Sequence, residues 1–146
     1  MIYLDNSATT ALSEAVKQKM IYAMEQYGNP SSTHALGIVA KRIMDEARDN
    51  VAAALGLGRV NAENLVFTSC GSEANNMAIL GCAYSKAKRR ASRIITTDSE
   101  HSSVENAMKR LEADGFEVIR LSTRGGVIDE AQFMSYMDTS ITLLSI

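Results

Sequence analysis

The sequence predicts an α/β fold: a mainly parallel sheet with flanking helices that breaks off within or just after its fourth strand. Three observations carry that prediction. From residue 65 onward, short apolar runs alternate with helix-length segments, and most of the runs close in a cluster of Thr, Ser, Gly or Asp. The third observation is bulk: 146 residues, 46% hydrophobic and 22% charged, suffice for one domain with a real core.

Taken in order, "SEAVKQKMIYAMEQYG" reads as a helix capped by Ser13, with Val16, Met20, Met24 and Tyr27 at helical spacing and Gly28 as its stop. "GNPSSTHALG" is a turn cluster holding the chain's single proline. A longer helix runs from about His34 to Leu55, with Leu36, Val39, Ile43, Ala47, Val51 and Ala54 on one face and Gly56 ending it. "NLVFTS" is then a short buried strand, and "SEANNMAILGCAYSKAKRR" a helix whose basic last turn suits its dipole. "RIITT", "HSSVENAMKRLEADG" and "FEVIRLS" follow as strand, helix and strand. "GGVIDEAQFMSYMD" supplies a turn and a short helix, and "ITLLSI" a fourth strand. A β-α-β-α-β-α-β order argues a parallel sheet with helices on its faces, and ligands in such sheets bind beyond the C-terminal strand ends.

Composition narrows function. A net charge of −2 with no run of like charge offers no general attraction to nucleic acid or to an anionic membrane. The apolar stretches are too short to span a bilayer, and "MIYLDNSATT" has no basic region followed by an apolar core. A cytoplasmic protein is therefore expected. Cys70 and Cys82 form neither a disulfide framework nor a metal-ligand spacing; reduced thiols are expected, Cys82 in the interior and Cys70 within a loop of interest.

That loop is "TSCGSEANN". Thr68 and Ser69 end a strand and Ser72 to Asn75 open a helix, whose first N–H groups lack intrahelical partners and carry partial positive charge. Gly71 permits a close approach, and the Ser69 and Ser72 hydroxyls add donors, so the stretch can cradle a phosphate. It reads more simply as an ordinary turn with Ser72 as N-cap. Neither G-x-x-x-x-G-K-[ST] nor G-x-G-x-x-G occurs, so nucleotide and dinucleotide fingerprints are absent.

His101 sits just after a strand and at the start of a helix, on the same presumed ligand edge. A neutral ring there can stack on an aromatic ligand or exchange a proton; it can also be a plain cap-region histidine. His34 reads as structural. No G-x-S-x-G elbow supports a serine hydrolase, and His101 with Glu105 finds no third metal ligand, so no metal is expected.

Four stretches, "YLDNSATT", "YGNPSSTHALG", "VFTSCGSEANNMAI" and "IITTDSEHSSV", occur in the order and spacing of the cysteine desulfurases. The chain thus resembles the N-terminal portion of these pyridoxal 5′-phosphate (PLP) enzymes, which are fold type I members of the class V aminotransferase group. The resemblance implies that residues 1–27 are the N-terminal segment and helix of the small-domain side. Residues 28–146 would be the N-terminal part of the PLP-binding large domain. It implies that Gly71 and Ser72 bind the phosphate, with Ser in place of the family's usual Thr, and that His101 stacks on the pyridine ring and moves protons. Asn6, Ala8 and Thr9 would approach the substrate. The implied reaction takes L-cysteine to L-alanine, passes sulfur to an enzyme thiol, and hands it to an iron–sulfur scaffold or, for tRNA thiolation, another acceptor protein. The full-length form would be a homodimer.

By the same resemblance, the Schiff-base lysine and the persulfide-forming cysteine have no matching position here. Lys86, Lys88 and Lys109 lie on helices, and neither cysteine falls in the catalytic segment. The chain is expected to be inactive alone. The strands "FEVIRLS", "RIITT" and "TLLSI" are expected to be neighbours, while "NLVFTS" would lack its partners and leave the chain marginally stable. A selenocysteine lyase and a non-catalytic binding module are the alternative readings.

Overall fold

The computed structural model describes residues 2–57, 59–86 and 93–146. The chain divides into two compact units, Met1–Val66 and Phe67–Ile146.

In the first unit, α1 spans Glu14–Met24, and the Ser13 hydroxyl caps it by accepting the Val16 N–H at 3.3 Å. The helix stops at Met24, four residues short of Gly28. Gly28 serves a different purpose: a Cβ there would stand 2.1 Å from the Leu36 carbonyl oxygen, so only glycine lets the turn lie against the next helix. That helix, α2, spans Ala35–Ala54, with His34 as its N-cap through an Nδ1 that accepts the Gly37 N–H at 3.3 Å. Gly56, at φ 71°, ends it as expected.

The buried side of α2 is not the stripe the periodicity predicts. Gly37, Ala40 and Ala52 are buried, whereas Leu36 and Val51 are exposed. Small residues win because backbone approaches closely there: a Cβ on Gly37 would meet the Ser32 carbonyl oxygen at 2.3 Å. Ala52 sits where the Leu57 N–H returns to its carbonyl, beside a 3-10 turn at Arg59–Asn64. Ile43, Ala47 and Val51 of the expected stripe instead line, with Val16, Met20 and Ala23 of α1, an open groove of about 600 Å³.

The second unit holds α3 (Gly71–Lys86), β1 (Arg93–Thr97), α4 (Ser102–Ala113), β2 (Glu117–Leu121), α5 (Glu130–Tyr136) and β3 (Ile141–Leu144). The basic turn expected at 87–90, Lys88 included, lies outside the described residues. The sheet order is β2-β1-β3 and both pairings are parallel, so "FEVIRLS", "RIITT" and "ITLL" are neighbours as the resemblance implied. Thr142 is the extra residue of a bulge, because Arg93 opposes Ile141 while Ile94 opposes Leu143.

The fourth expected strand does not form. Residues 65–68 join no ladder, and Val66 and Phe67 are 65% and 55% exposed. An apolar run becomes a strand only when another strand pairs with it, and among the described residues none pairs with this one.

Helices α3 and α4 pack together over one sheet face. Ile79, Ala83, Ile94, Val104, Ala107, Met108 and Leu111 form the core, with Phe116 and Leu143 against it. Cys82 lies off that face and is exposed rather than interior. Arg120 of β2 donates to Glu105 at 3.0 Å and Glu112 at 2.6 Å, tying the strand to α4. Arg93 reaches Glu117 and Asp138 at the opposite end of the sheet. No helix among the described residues is long and apolar enough to cross a membrane.

Candidate functional site

The C-terminal ends of the strands and the N-termini of α3 and α4 share one end of the second unit. Helix α3 begins at Gly71, and the Ala74 N–H bonds the Cys70 carbonyl at 3.1 Å, which makes Cys70 the cap residue. Ser72 is therefore not the N-cap. It stands one residue inside the first turn, exposed, with its hydroxyl clear of the capping role.

The local field at this helix start favours negative charge. The backbone N–H of Glu73, then the Ser69 hydroxyl and the Ser72 N–H, hold the Cys70 thiol below its ordinary range. Glu73 shifts the same way, because its carboxylate accepts the Ser69 hydroxyl at 2.7 Å and the Ser69 N–H at 2.6 Å. Nothing lies within 4 Å of where a Gly71 Cβ would stand, so the approach is open. The first-turn N–H groups and the Ser72 hydroxyl at this open helix start fit a phosphate, while the Ser69 hydroxyl and N–H are already held by Glu73.

The Glu73 tether carries a pH signature. A carboxyl depressed in the folded chain stabilises its loop above its ordinary range, and that support is lost as pH falls through the depressed folded value. The Ser69 amide proton resonance is expected to move upfield through this acid step. In Glu73→Gln, which keeps an acceptor but has no titrating proton, the step should vanish; its persistence would place the titration elsewhere.

The loop that delivers His101 is pinned on both sides. Asp98 accepts the Thr123 hydroxyl at 2.5 Å and the Thr123 N–H at 2.9 Å, contacts that keep its carboxyl low, and Thr97 donates to Glu100 at 2.8 Å. His101 is the exposed N-cap of α4, its Nδ1 accepting the Ser103 N–H at 3.1 Å and lying 2.8 Å from the Ser103 hydroxyl. From α3, Asn75 Nδ2 donates to that same hydroxyl at 2.9 Å. One bond thus brings the helix of Gly71 and Ser72 alongside the helix of His101.

Asn6, Ala8 and Thr9 belong to the first unit, exposed in a turn where the Ala8 and Thr9 N–H groups bond the Asp5 carbonyl. Glu73, Asn75 and Ser103 are the residues that sequence reasoning missed. For Glu73 no capping-box signal was present, since Cys stands at 70 and the Glu73 carboxylate bonds Ser69, four positions back.

Comparison with known proteins accords with this geometry. The family model for aminotransferase class-V matches residues 2–146. The chain belongs to the aminotransferase class-V family. Among curated class V relatives, a cysteine desulfurase of Trichormus azollae is 39% identical over 148 aligned positions, covering 100% of this chain and 36% of its own length. A putative cysteine desulfurase IscS 1 of Bacillus subtilis is 40% identical over 121 positions, covering 82% of this chain and 31% of its own. The chain thus spans about a third of the length of these relatives. Among solved structures, a NifS-like protein superposes with a TM-score of 0.87 at 36% identity, over 99% of this chain and 39% of that one. SspA in complex with cysteine gives a TM-score of 0.82 at 29% identity, over 97% and 40%.

Proposed function

We propose that these residues form the N-terminal portion of a PLP-dependent cysteine desulfurase. In this reading 28–146 build one wall of the cofactor domain and 1–27 lie on the small-domain side. The observation that carries the reading is the Asn75–Ser103 bond, which sets a phosphate-fitting helix start beside a histidine-capped one. The cysteine desulfurase relatives and the cysteine-bound SspA support L-cysteine as substrate. Gly71 and Ser72 would hold the cofactor's phosphate, while His101 would serve its ring side. Asn6, Ala8 and Thr9 would face the substrate. When bound, PLP supplies the electron sink that the carbon–sulfur cleavage needs.

The chain's own part is binding and proton handling. The start of α3 neutralises a phosphate dianion with fixed N–H groups and hydroxyls, and His101 offers a ring nitrogen for proton exchange. The lysine that takes up the cofactor and the thiol that takes up sulfur would come from outside these 146 residues. The whole enzyme would be a cytoplasmic homodimer delivering sulfur to an iron–sulfur scaffold or another acceptor.

The test uses pyridoxine 5′-phosphate, which lacks the aldehyde and so does not react with surface lysines. Equilibrium dialysis should show saturable uptake that inorganic phosphate displaces and that pyridoxine without its phosphate does not match. With PLP and L-cysteine the chain alone should release no alanine. Absence of phosphate-competable uptake would overturn the cofactor assignment; alanine release would overturn the placement of the lysine and thiol.

A further inference from the structure

We propose that Asn75 and Ser103 are positioning residues for His101, and that together they leave the ring's exchangeable proton on Nε2. The significance for catalysis rests on the reading above; the bonding pattern stands without it. Ser103 is 7% exposed, so its hydroxyl is satisfied by protein rather than by solvent. Its Oγ has two neighbours, Asn75 Nδ2 at 2.9 Å and His101 Nδ1 at 2.8 Å. An amide N–H can only donate, so Oγ accepts from Asn75, and the single hydroxyl hydrogen is left to point at His101. Nδ1 then receives two donors, that hydroxyl and the Ser103 N–H at 3.1 Å. A nitrogen that accepts cannot carry the proton, so the neutral ring is the Nε2–H form, with its plane fixed by Ser103.

The arrangement links two jobs. Asn75 rides on the helix whose first turn meets the phosphate, yet by orienting one hydroxyl it adds a second donor to the Ser103 N–H in holding Nδ1 of His101 as an acceptor. His34 is a natural reference: its Nδ1 also caps a helix, accepting the Gly37 N–H, but among the described residues no hydroxyl bonds it.

The experiment is long-range proton–nitrogen NMR on the chain with nitrogen-labelled histidine, above the ordinary histidine titration range, with the two rings assigned by His101→Asn. The expected wild-type spectrum has His101 protonated on Nε2, and its Nδ1 resonance displaced to lower frequency than that of His34. Asn75→Asp is the decisive variant, because a carboxylate takes the Ser103 hydrogen for itself. The His101 Nδ1 resonance should then move to higher frequency while His34 stays fixed, and Ser103→Ala should match it.

A wild-type ring protonated on Nδ1 overturns the proposal, and it needs no variant to fold. So does an unmoved Nδ1 in a folded Asn75→Asp, which would mean that the amide oxygen faces Ser103. Loss of pyridoxine 5′-phosphate uptake with the resonances as expected would overturn the functional reading and leave this proposal intact.

Discussion

Leu111→Ala is expected to abolish the cooperative melting of the Phe67–Ile146 unit. Leu111 is fully buried beside Met108, Ile94 and Ala107, and its carbonyl also accepts the Phe116 N–H at 3.0 Å where α4 turns toward β2. Truncating a buried leucine costs about 2–5 kcal/mol, the lost transfer energy plus the cavity left behind. A core in a unit of this size supplies roughly 3–5 kcal/mol, so one substitution removes most of it. The comparison is Val66→Ala, an apolar residue of similar appearance in the sequence but largely exposed, for which the change should stay within about 0.5 kcal/mol. Thermal melts followed by circular dichroism separate the two. Equal losses at both positions would mean that Val66 is covered in solution.

Ser72→Asp is expected to abolish pyridoxine 5′-phosphate uptake while leaving α3 as stable as before, or more so. The two effects have opposite signs for one reason. An acidic residue in the first turn of a helix interacts favourably with the dipole, by about 0.3–1 kcal/mol. The same charge occupies the field that a phosphate would use and repels it. Because Cys70 and not Ser72 caps the helix, the substitution removes no capping bond. Ser72→Ala tests the hydroxyl alone: a hydrogen bond to a charged group is worth about 1.5–3 kcal/mol, so affinity should fall by roughly tenfold or more. Uptake by Ser72→Asp equal to wild type would exclude this helix start as the phosphate seat.

The local elements were legible because local rules govern them. Ser13 and the capping of α1, the stop at Gly56, and β1 at Arg93–Thr97 all stand where side-chain chemistry and periodicity put them. "NLVFTS" carries an equally good strand signal and forms none, since pairing depends on a partner that no local pattern specifies. The apolar stripe of α2 failed for a related reason. Periodicity marks which residues are apolar, but close backbone approach at Gly37 and Ala40 decided which side is covered.

At the site, Gly71, Ser72 and His101 were found because their types and positions form motifs. The bonds that organise them, Ser69 to Glu73 and Asn75 to Ser103, join side chains whose geometry exists only once α3 and α4 are packed. Asn75 and Ser103 are 28 residues apart in the chain, and nothing in either one's neighbourhood announces the other.

The central strand β1 is also the first of the three to be made. During synthesis it leaves the ribosome before either neighbour exists, and the last residues of β3 follow it by 47 positions. At about 5–20 residues per second, β1 waits roughly 1–5 s for β2 and roughly 2–10 s for β3, whereas helix formation nearby takes microseconds or less. Ile94 and Ile95 pass that interval uncovered, flanked by Arg93 before them and Asp98 beyond the strand. Those two charges are the gatekeepers of the nascent chain, and in the finished fold the same two residues clamp the sheet at its opposite ends.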